Sequence, residues 1–351
     1  MAFRSQYRVT ADTWSALRAV DHARGFIDAL ALSPERLAEF ERLALVEEAF
    51  HTTVIEGARV TLEQVERLIA GDAVEEVDRE SRREVVNVVE ASRLLRGHLD
   101  AGLPLTQAVL REAHRALVRG VRGGRAAPGA YRRVQNAVVD RSTGEVVYTP
   151  PPAYEVSARM GDLVDWLGGP GHEQHPVLAA AAAHYELAAI HPFLDGNGRT
   201  ARLLASACIE RAGYALPRLA SLSAFHDRDR LAYYGALRPA DQAPDLTGWV
   251  EYIARGVAGL AADLVERASR VLAIDLAVAE HGLNGRQRAA LAGVKDSGAV
   301  TIRDQQARFP EVPRRTLQYE LGQLVRSGLL RREGAGPSSR YLAGEDMSGA
   351  R

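Results

Sequence analysis

At 351 residues the chain is long enough to bury a sizeable core and to hold two or three domains. Its apolar (46%) and charged (25%) fractions are those of an ordinary globular protein, and a net charge of −1 gives no global argument for binding nucleic acid or a membrane surface. The single cysteine, Cys208, excludes an internal disulfide, and its setting in Leu204-Ala-Ser-Ala-Cys-Ile209 reads as a core thiol. The first residues carry no apolar stretch of signal-peptide type, and no run is apolar enough to span a bilayer. The expected location is therefore the cytoplasm, with no membrane contact.

In chain order, residues 12–118 read as helical. Leu30, Leu32, Leu37, Phe40, Leu43 and Leu45 recur at roughly helical spacing. Asp72 to Gly97 sets charge on one face against Val85, Val86, Val88, Val89 and Leu94 on the other, as one amphipathic helix. Between them, His51 to Gly57 reads as a helix ending at Gly57, with Glu56 by itself a solvated side chain. Arg119 to Gly129, rich in Gly and Arg, predicts a loop.

The pattern then changes. Val134, Val138 and Val139, the turn residues Asp140 to Gly144, and Val146, Val147 and Tyr148 predict two short strands around a turn, closed by Pro150-Pro-Pro152. Helices resume near Val156 and continue to about His281. Beyond Asn284 the composition shifts to twelve Arg or Lys against seven Asp or Glu, marking a separate small module. Its predicted helices are Gly285 to Ala292, Ile302 to Phe309 and Pro313 to Ser327, followed by a β-wing from Arg331 to Leu342 with a turn at its tip.

The chemistry concentrates in His191-Pro-Phe-Leu-Asp-Gly-Asn-Gly-Arg-Thr-Ala-Arg202. The apolar run Pro176 to Ile190 reads as a buried helix that delivers His191, whose imidazole can accept a proton from a hydroxyl near neutral pH. Asp195 offers a hard oxygen ligand suited to Mg²⁺ shared with phosphate oxygens. Gly196, Asn197 and Gly198 allow successive N–H groups to converge on an anion. A helix from Arg199 to about Arg211 adds its N-terminal dipole, with Arg199 and Arg202 on one face. A zinc site from His172, His175, His184 and His191 matches no common ligand spacing.

This string resembles the signature of the Fic (Fic/Doc) family, His-Pro-Phe-x-Asp/Asn-Gly-Asn-Gly-Arg-x-x-Arg, at every specified position. The resemblance implies a mainly α fold with a β-hairpin flap, and a protein adenylyltransferase that moves AMP from ATP, with Mg²⁺, to a Ser, Thr or Tyr hydroxyl of a target protein or of itself. It makes His191 the base, Asp195 the Mg²⁺ ligand, and Gly196, Asn197, Gly198, Arg199 and Arg202 the phosphate contacts. Gly129-Ala-Tyr-Arg132 and Tyr148 to Pro152 look like the ends of the flap, whose Val138, Val139, Val146 and Val147 would hold the target by strand addition. Tyr233 falls at an adenine contact, and Asp241 stands where relatives carry Asn.

Upstream, Thr52-x-x-x-Glu56-Gly57 is similar to the family's inhibitory motif, which implies that Glu56 pairs with Arg202 in the space of the γ-phosphate. In some relatives this glutamate also supports removal of AMP. The resemblance implies an N-terminal helical region at 1–105 with an inhibitory helix at about 45–57, and a catalytic core at 106–275. A homodimer is compatible with it.

The segment from Pro313 to Leu330 resembles the recognition helix and turn of winged helix-turn-helix domains, giving a third domain at 284–345. There Arg314, Arg315 and Gln318 would meet DNA, with Arg331, Arg332 and Arg340 on the flanking backbone. Two alternatives stand beside the adenylyltransferase: a DNA-binding regulator whose Fic core only senses nucleotide, and an enzyme that transfers another phosphate-linked group.

Overall fold

A computed structural model of the chain describes residues 6–30, 32–121, 127–139, 144–242, 245–334 and 339–344. Contacts divide it into two compact units, Met1–Leu264 and Val265–Arg351.

The first unit is mainly helical. Helices α1 (Ala11–Ala29), α2 (Pro34–Ile55), α3 (Leu62–Ala70), α4 (Arg79–Asp100) and α5 (Gln107–Leu117) precede a hairpin of β1 (Val138–Val139) and β2 (Val146–Tyr148). Then come α6 (Val156–Gly168), α7 (Pro176–Ile190), α8 (Asn197–Arg211), α9 (Leu216–Leu219), α10 (Leu222–Arg228), α11 (Arg230–Gln242) and α12 (Thr247–His281), the last of which contains the unit boundary. Among the described residues, no helix is long and apolar enough to cross a membrane.

Three sequence expectations are corrected. The leucine periodicity from Leu30 to Leu45 is not one helix. Leu30 ends α1, and Ser33 starts α2 by accepting the Arg36 amide (3.3 Å), with Pro34 in the first turn. The helix expected from Asp72 begins only at Arg79. Gly71 closes α3 at φ 94°, and the Asp78 carboxylate takes the Glu80 and Ser81 amides (both 2.9 Å) as the N-cap of α4. Val134 lies outside the hairpin, which pairs only Val138 with Tyr148 and Val139 with Val146, with a register shift between them. The expected turn at Asp140 to Thr143 and part of the Arg119–Gly129 loop lie outside the described residues.

Apolar faces of α2 to α5 meet in one core that includes Val46, Ala49, Val65, Val85, Val88, Leu117 and Val118. At the centre of the unit α7 packs on α8. Five consecutive alanines, Ala179 to Ala183, are buried, so α7 is enclosed around most of its circumference. That enclosure fixes where its last residue delivers His191.

In the second unit, α13 (Gly285–Ser297), β3 (Val300–Thr301), α14 (Ile302–Arg308), α15 (Arg314–Arg326), β4 (Leu330–Glu333) and β5 (Arg340–Ala343) enclose a core of Leu291, Val294, Leu317, Leu321, Leu324 and Tyr341. The antiparallel sheet has the order β3-β5-β4. Capping boxes at Asn284/Gln287 and Thr301/Asp304 start α13 and α14. The tip expected between β4 and β5, residues 335–338, lies outside the described residues.

Candidate active site

Pro192 and the end of α7 leave His191 in the left-handed region, φ 49° and ψ 57°. For a non-glycine residue this costs about 1–2 kcal/mol, so the surroundings must hold it there. The His191 Nδ1 lies 3.3 Å from the Ala188 carbonyl, which can only accept, so Nδ1 carries the proton and Nε2 keeps a free lone pair. Burial pushes the imidazole below its usual range. The Ala188 carbonyl, Glu56 and Asp195 oppose the shift, and Arg132 reinforces it. The ring is therefore neutral at neutral pH, the state a base requires.

The loop after His191 is rigid. Phe193 is fully buried and stacks on His114, with ring centroids 3.6 Å apart and planes within 5°. Asn197 closes the loop on itself: its Oδ1 accepts the Phe193 N–H and its Nδ2 donates to the Phe193 carbonyl, both at 2.9 Å. Gly196 sits at φ 77° with no room for a side chain, because a Cβ there would lie 2.7 Å from Val118 Cγ1. Asp195 Oδ1 accepts the Gly196 N–H (2.7 Å), and its side chain is 37% exposed. The first turn of α8 leaves the amides of Asn197, Gly198 and Arg199 without helical acceptors, which makes this end of the helix an anion site.

An anion already stands there. A Cβ on Gly198 would lie 2.7 Å from Glu56 Oε1. The same oxygen accepts from Arg202 Nη2 at 2.9 Å. Arg202 also donates from Nε to Thr52 Oγ1 (2.9 Å) and from Nη2 to the Thr52 carbonyl (3.1 Å). Its side chain is 1% exposed, and although burial, the largest single influence, lowers its pKa, the charge and hydrogen bond of Glu56 together with Tyr233 and Tyr234 outweigh it, so the net shift is upward. Glu56 caps α2, and Gly57 (φ 97°) turns the chain away directly after it. Glu56, its side chain 16% exposed, is thus paired with Arg202 across two helices, the pairing the resemblance implies, and is not the solvated side chain its helix end alone suggests.

Other expected residues are distributed differently. Arg199 is buried and paired with Glu84 of α4 (3.3 Å), with Asp195 3.9 Å away and its own Nε without a partner. Tyr233 is 2% exposed and meets His184 Nε2 through its hydroxyl (3.0 Å), whereas the neighbouring Tyr234 is 41% exposed. Burial raises the Tyr233 phenol to about 12. The hairpin valines are on the surface, Val139 and Val146 being the most open. The Asp241 side chain lies outside the described ones. Among the described residues no group of three or more His, Cys, Asp or Glu is arranged to hold a metal. Mg²⁺ bound through one carboxylate and phosphate oxygens needs no such group, so the partly exposed Asp195 fits that ion.

Sequence reasoning missed His114, Glu84 and the contacts of Arg132. His114 Nδ1 accepts the Gly129 N–H (2.9 Å), so Nε2 carries the proton and donates to the Asp195 carbonyl (2.9 Å). Burial lowers this imidazole to about 4, which keeps it neutral in that role. The available signal was a polar residue on the buried face of a strongly amphipathic helix: His114 on α5 and Glu84 on α4.

Fold and site together define a mainly helical protein organised around an anion-accepting glycine loop beside a neutral histidine. Residues 104–209 match the Fic/DOC family model. It is similar to the protein adenylyltransferases Fic of Drosophila willistoni and Drosophila ananassae, each 29% identical over 246 residues, a match covering 68% of this chain and 45% of theirs. The chain thus spans less than half the length of these curated relatives. Among solved structures, Fic-1 (residues 134–508) from C. elegans is 26% identical with a TM-score of 0.64, over 74% of each chain. A Fic family protein from Desulfovibrio desulfuricans G20 shares the fold over 97% of this chain and 98% of its own, at 24% identity and a TM-score of 0.65.

Proposed function

We propose that the protein is a self-inhibited adenylyltransferase that transfers AMP from ATP to a hydroxyl side chain of a protein. The observation that carries this reading is the Glu56 carboxylate lodged against Gly198 at the start of α8 and bonded to Arg202. A carboxylate lodged against the first turn of a helix and bonded to an arginine occupies ground that suits a phosphate.

When Arg202 is released from Glu56, the loop can accept the polyphosphate. His191 Nε2 takes the proton of the target hydroxyl, and the hydroxyl oxygen forms a bond to the α-phosphorus as the bond from that phosphorus to the bridging oxygen breaks. Pyrophosphate leaves. Arg202 and the α8 amides stabilise the charge that develops on it, and Arg199 adds its field from its buried pair with Glu84. Asp195 would hold Mg²⁺, which supplies further charge neutralisation at the phosphates. His114 fixes the Asp195 backbone. The hairpin valines form the docking edge for the target, and Tyr234 is the exposed ring nearest in sequence to the expected adenine contact. In domain terms, an inhibitory helix at about 45–57 regulates a core at 106–275.

ATP labelled at the α-phosphate should label the protein, and ATP labelled at the γ-phosphate should not. Label from the γ-phosphate would replace AMP transfer with phosphate transfer.

A second activity is proposed for the 284–345 module, read as a winged helix that binds DNA. Its support is the exposure of Arg314, Arg315 and Gln318 together at the start of α15, on the side away from buried Leu317 and Leu321. Random-sequence duplex DNA should shift at low salt. Arg314→Ala with Arg315→Ala should weaken binding and flatten its salt slope by about 2, roughly one phosphate contact per arginine. Unchanged binding in the double variant would exclude this face.

A further inference from the structure

Five consecutive backbone carbonyls, Ala189 to Phe193, each accept a hydrogen bond from the hairpin or the segment leading into it. Tyr148 of β2 donates its hydroxyl to Ala189 (2.9 Å). Arg132 donates from Nη2 to Ile190 (3.4 Å) and from Nε to His191 (2.9 Å), and its backbone N–H donates to Pro192 (2.8 Å). Asn136 Nδ2 donates to Phe193 (3.0 Å). The same guanidinium also ties together the segments that lead into and out of the hairpin, through Nη1 to Val134 (3.2 Å) and Nη2 to Pro151 (2.5 Å).

A helix leaves its last four carbonyls without partners in the helix. At the end of α7 all four are satisfied. Leu187 takes the His191 N–H and Ala188 takes His191 Nδ1, while Ala189 and Ile190 are served by the hairpin. A glycine in the left-handed region commonly closes such an end. Here the left-handed residue is His191: its N–H and Nδ1 bond back to its own helix, and its carbonyl is held by Arg132 from the segment leading into the hairpin. Arg132 is only 3% exposed, so these bonds are shielded from competing water.

We propose that the hairpin is the C-terminal cap of the catalytic helix, so that ordering of the flap by a docked target segment and alignment of His191 are one event, with Arg132 the positioning residue that joins them. This rests on His191 as the base and the hairpin as the docking edge. Strand addition along the exposed Val139 and Val146 stiffens the hairpin, and the stiffening reaches the His191 backbone through Arg132 and Tyr148. A histidine without a docked target is held less tightly, which disfavours transfer to water.

Hydrogen exchange on the full chain, without ATP or target, tests the coupling. In Arg132→Met, peptides covering 186–197 should exchange about tenfold faster or more, together with those covering the hairpin, while α2 to α4 stay unchanged. Tyr148→Phe and Asn136→Ala should give smaller effects of the same pattern, and they carry the test if Arg132→Met does not fold. In a Glu56→Gly background, Arg132→Met should lower kcat roughly a hundredfold, the scale of a small misplacement of a base, with ATP affinity held within about threefold. Arg132→Lys should recover part of the loss. Unchanged exchange at 186–197 in the folded variants overturns the proposal. Because exchange is read without the reaction, that result would leave AMP transfer standing, whereas absent transfer with coupled exchange would remove the reaction and keep the cap.

Discussion

Glu56→Gly should raise AMP transfer and self-modification about tenfold to a hundredfold in an assay with labelled ATP and Mg²⁺. The magnitude follows from the bond removed. A charge-assisted hydrogen bond is worth about 1.5–3 kcal/mol, and each 1.4 kcal/mol of that bias is a factor of ten in the competent population. The variant frees Arg202 and clears the space against Gly198 at once, since Glu56 Oε1 lies 2.7 Å from where a Cβ on Gly198 would stand. It should also be less stable without nucleotide, because a buried guanidinium loses its counter-charge and keeps only Thr52 and its weaker neighbours. ATP should restore more stability to the variant than to the wild type. Equal labelling of the two proteins would remove Glu56 from regulation.

His191→Ala should lower AMP transfer by about 10²- to 10⁴-fold, the usual contribution of a positioned general base, while ATP affinity changes little. His191→Asn should behave alike while tolerating the left-handed backbone better, which separates loss of the base from loss of the turn. The pH profile of the Glu56→Gly enzyme adds a second readout. Burial lowers the His191 pKa, so the base stays deprotonated, and activity persists, below the ordinary histidine midpoint near 6.5. An acidic limb at or above that midpoint would contradict the buried, neutral imidazole.

The part of the site that was legible in the sequence is the part that is contiguous. His191 to Arg202 is one turn and one helix start, so residue type and spacing alone carry its chemistry. The residues that hold this turn in place come from elsewhere. His114 is a single polar residue on an otherwise apolar helix face, Glu84 shares the buried face of α4 with Ser81, Asn87 and Ser92, and residue type alone does not separate either from a satisfied core side chain. Arg132 stood in a recognisable string, yet its target is a row of backbone carbonyls, and a sequence does not record which carbonyls a helix end leaves open. Two helix boundaries were misread for another reason. Apolar periodicity ran through Ser33-Pro34 and through the buried Val74 and Val77, where caps and a left-handed glycine override it. Tyr233 was legible as important, but as a buried partner of His184 rather than an open ring.

The most direct test of the account is the intact mass of three proteins after one incubation with ATP and Mg²⁺: wild type, Glu56→Gly, and Glu56→Gly with His191→Ala. An AMP adduct should be abundant on Glu56→Gly, scarce on the wild type and absent from the double variant. An adduct of equal abundance on all three, or a phosphate adduct in its place, would contradict it.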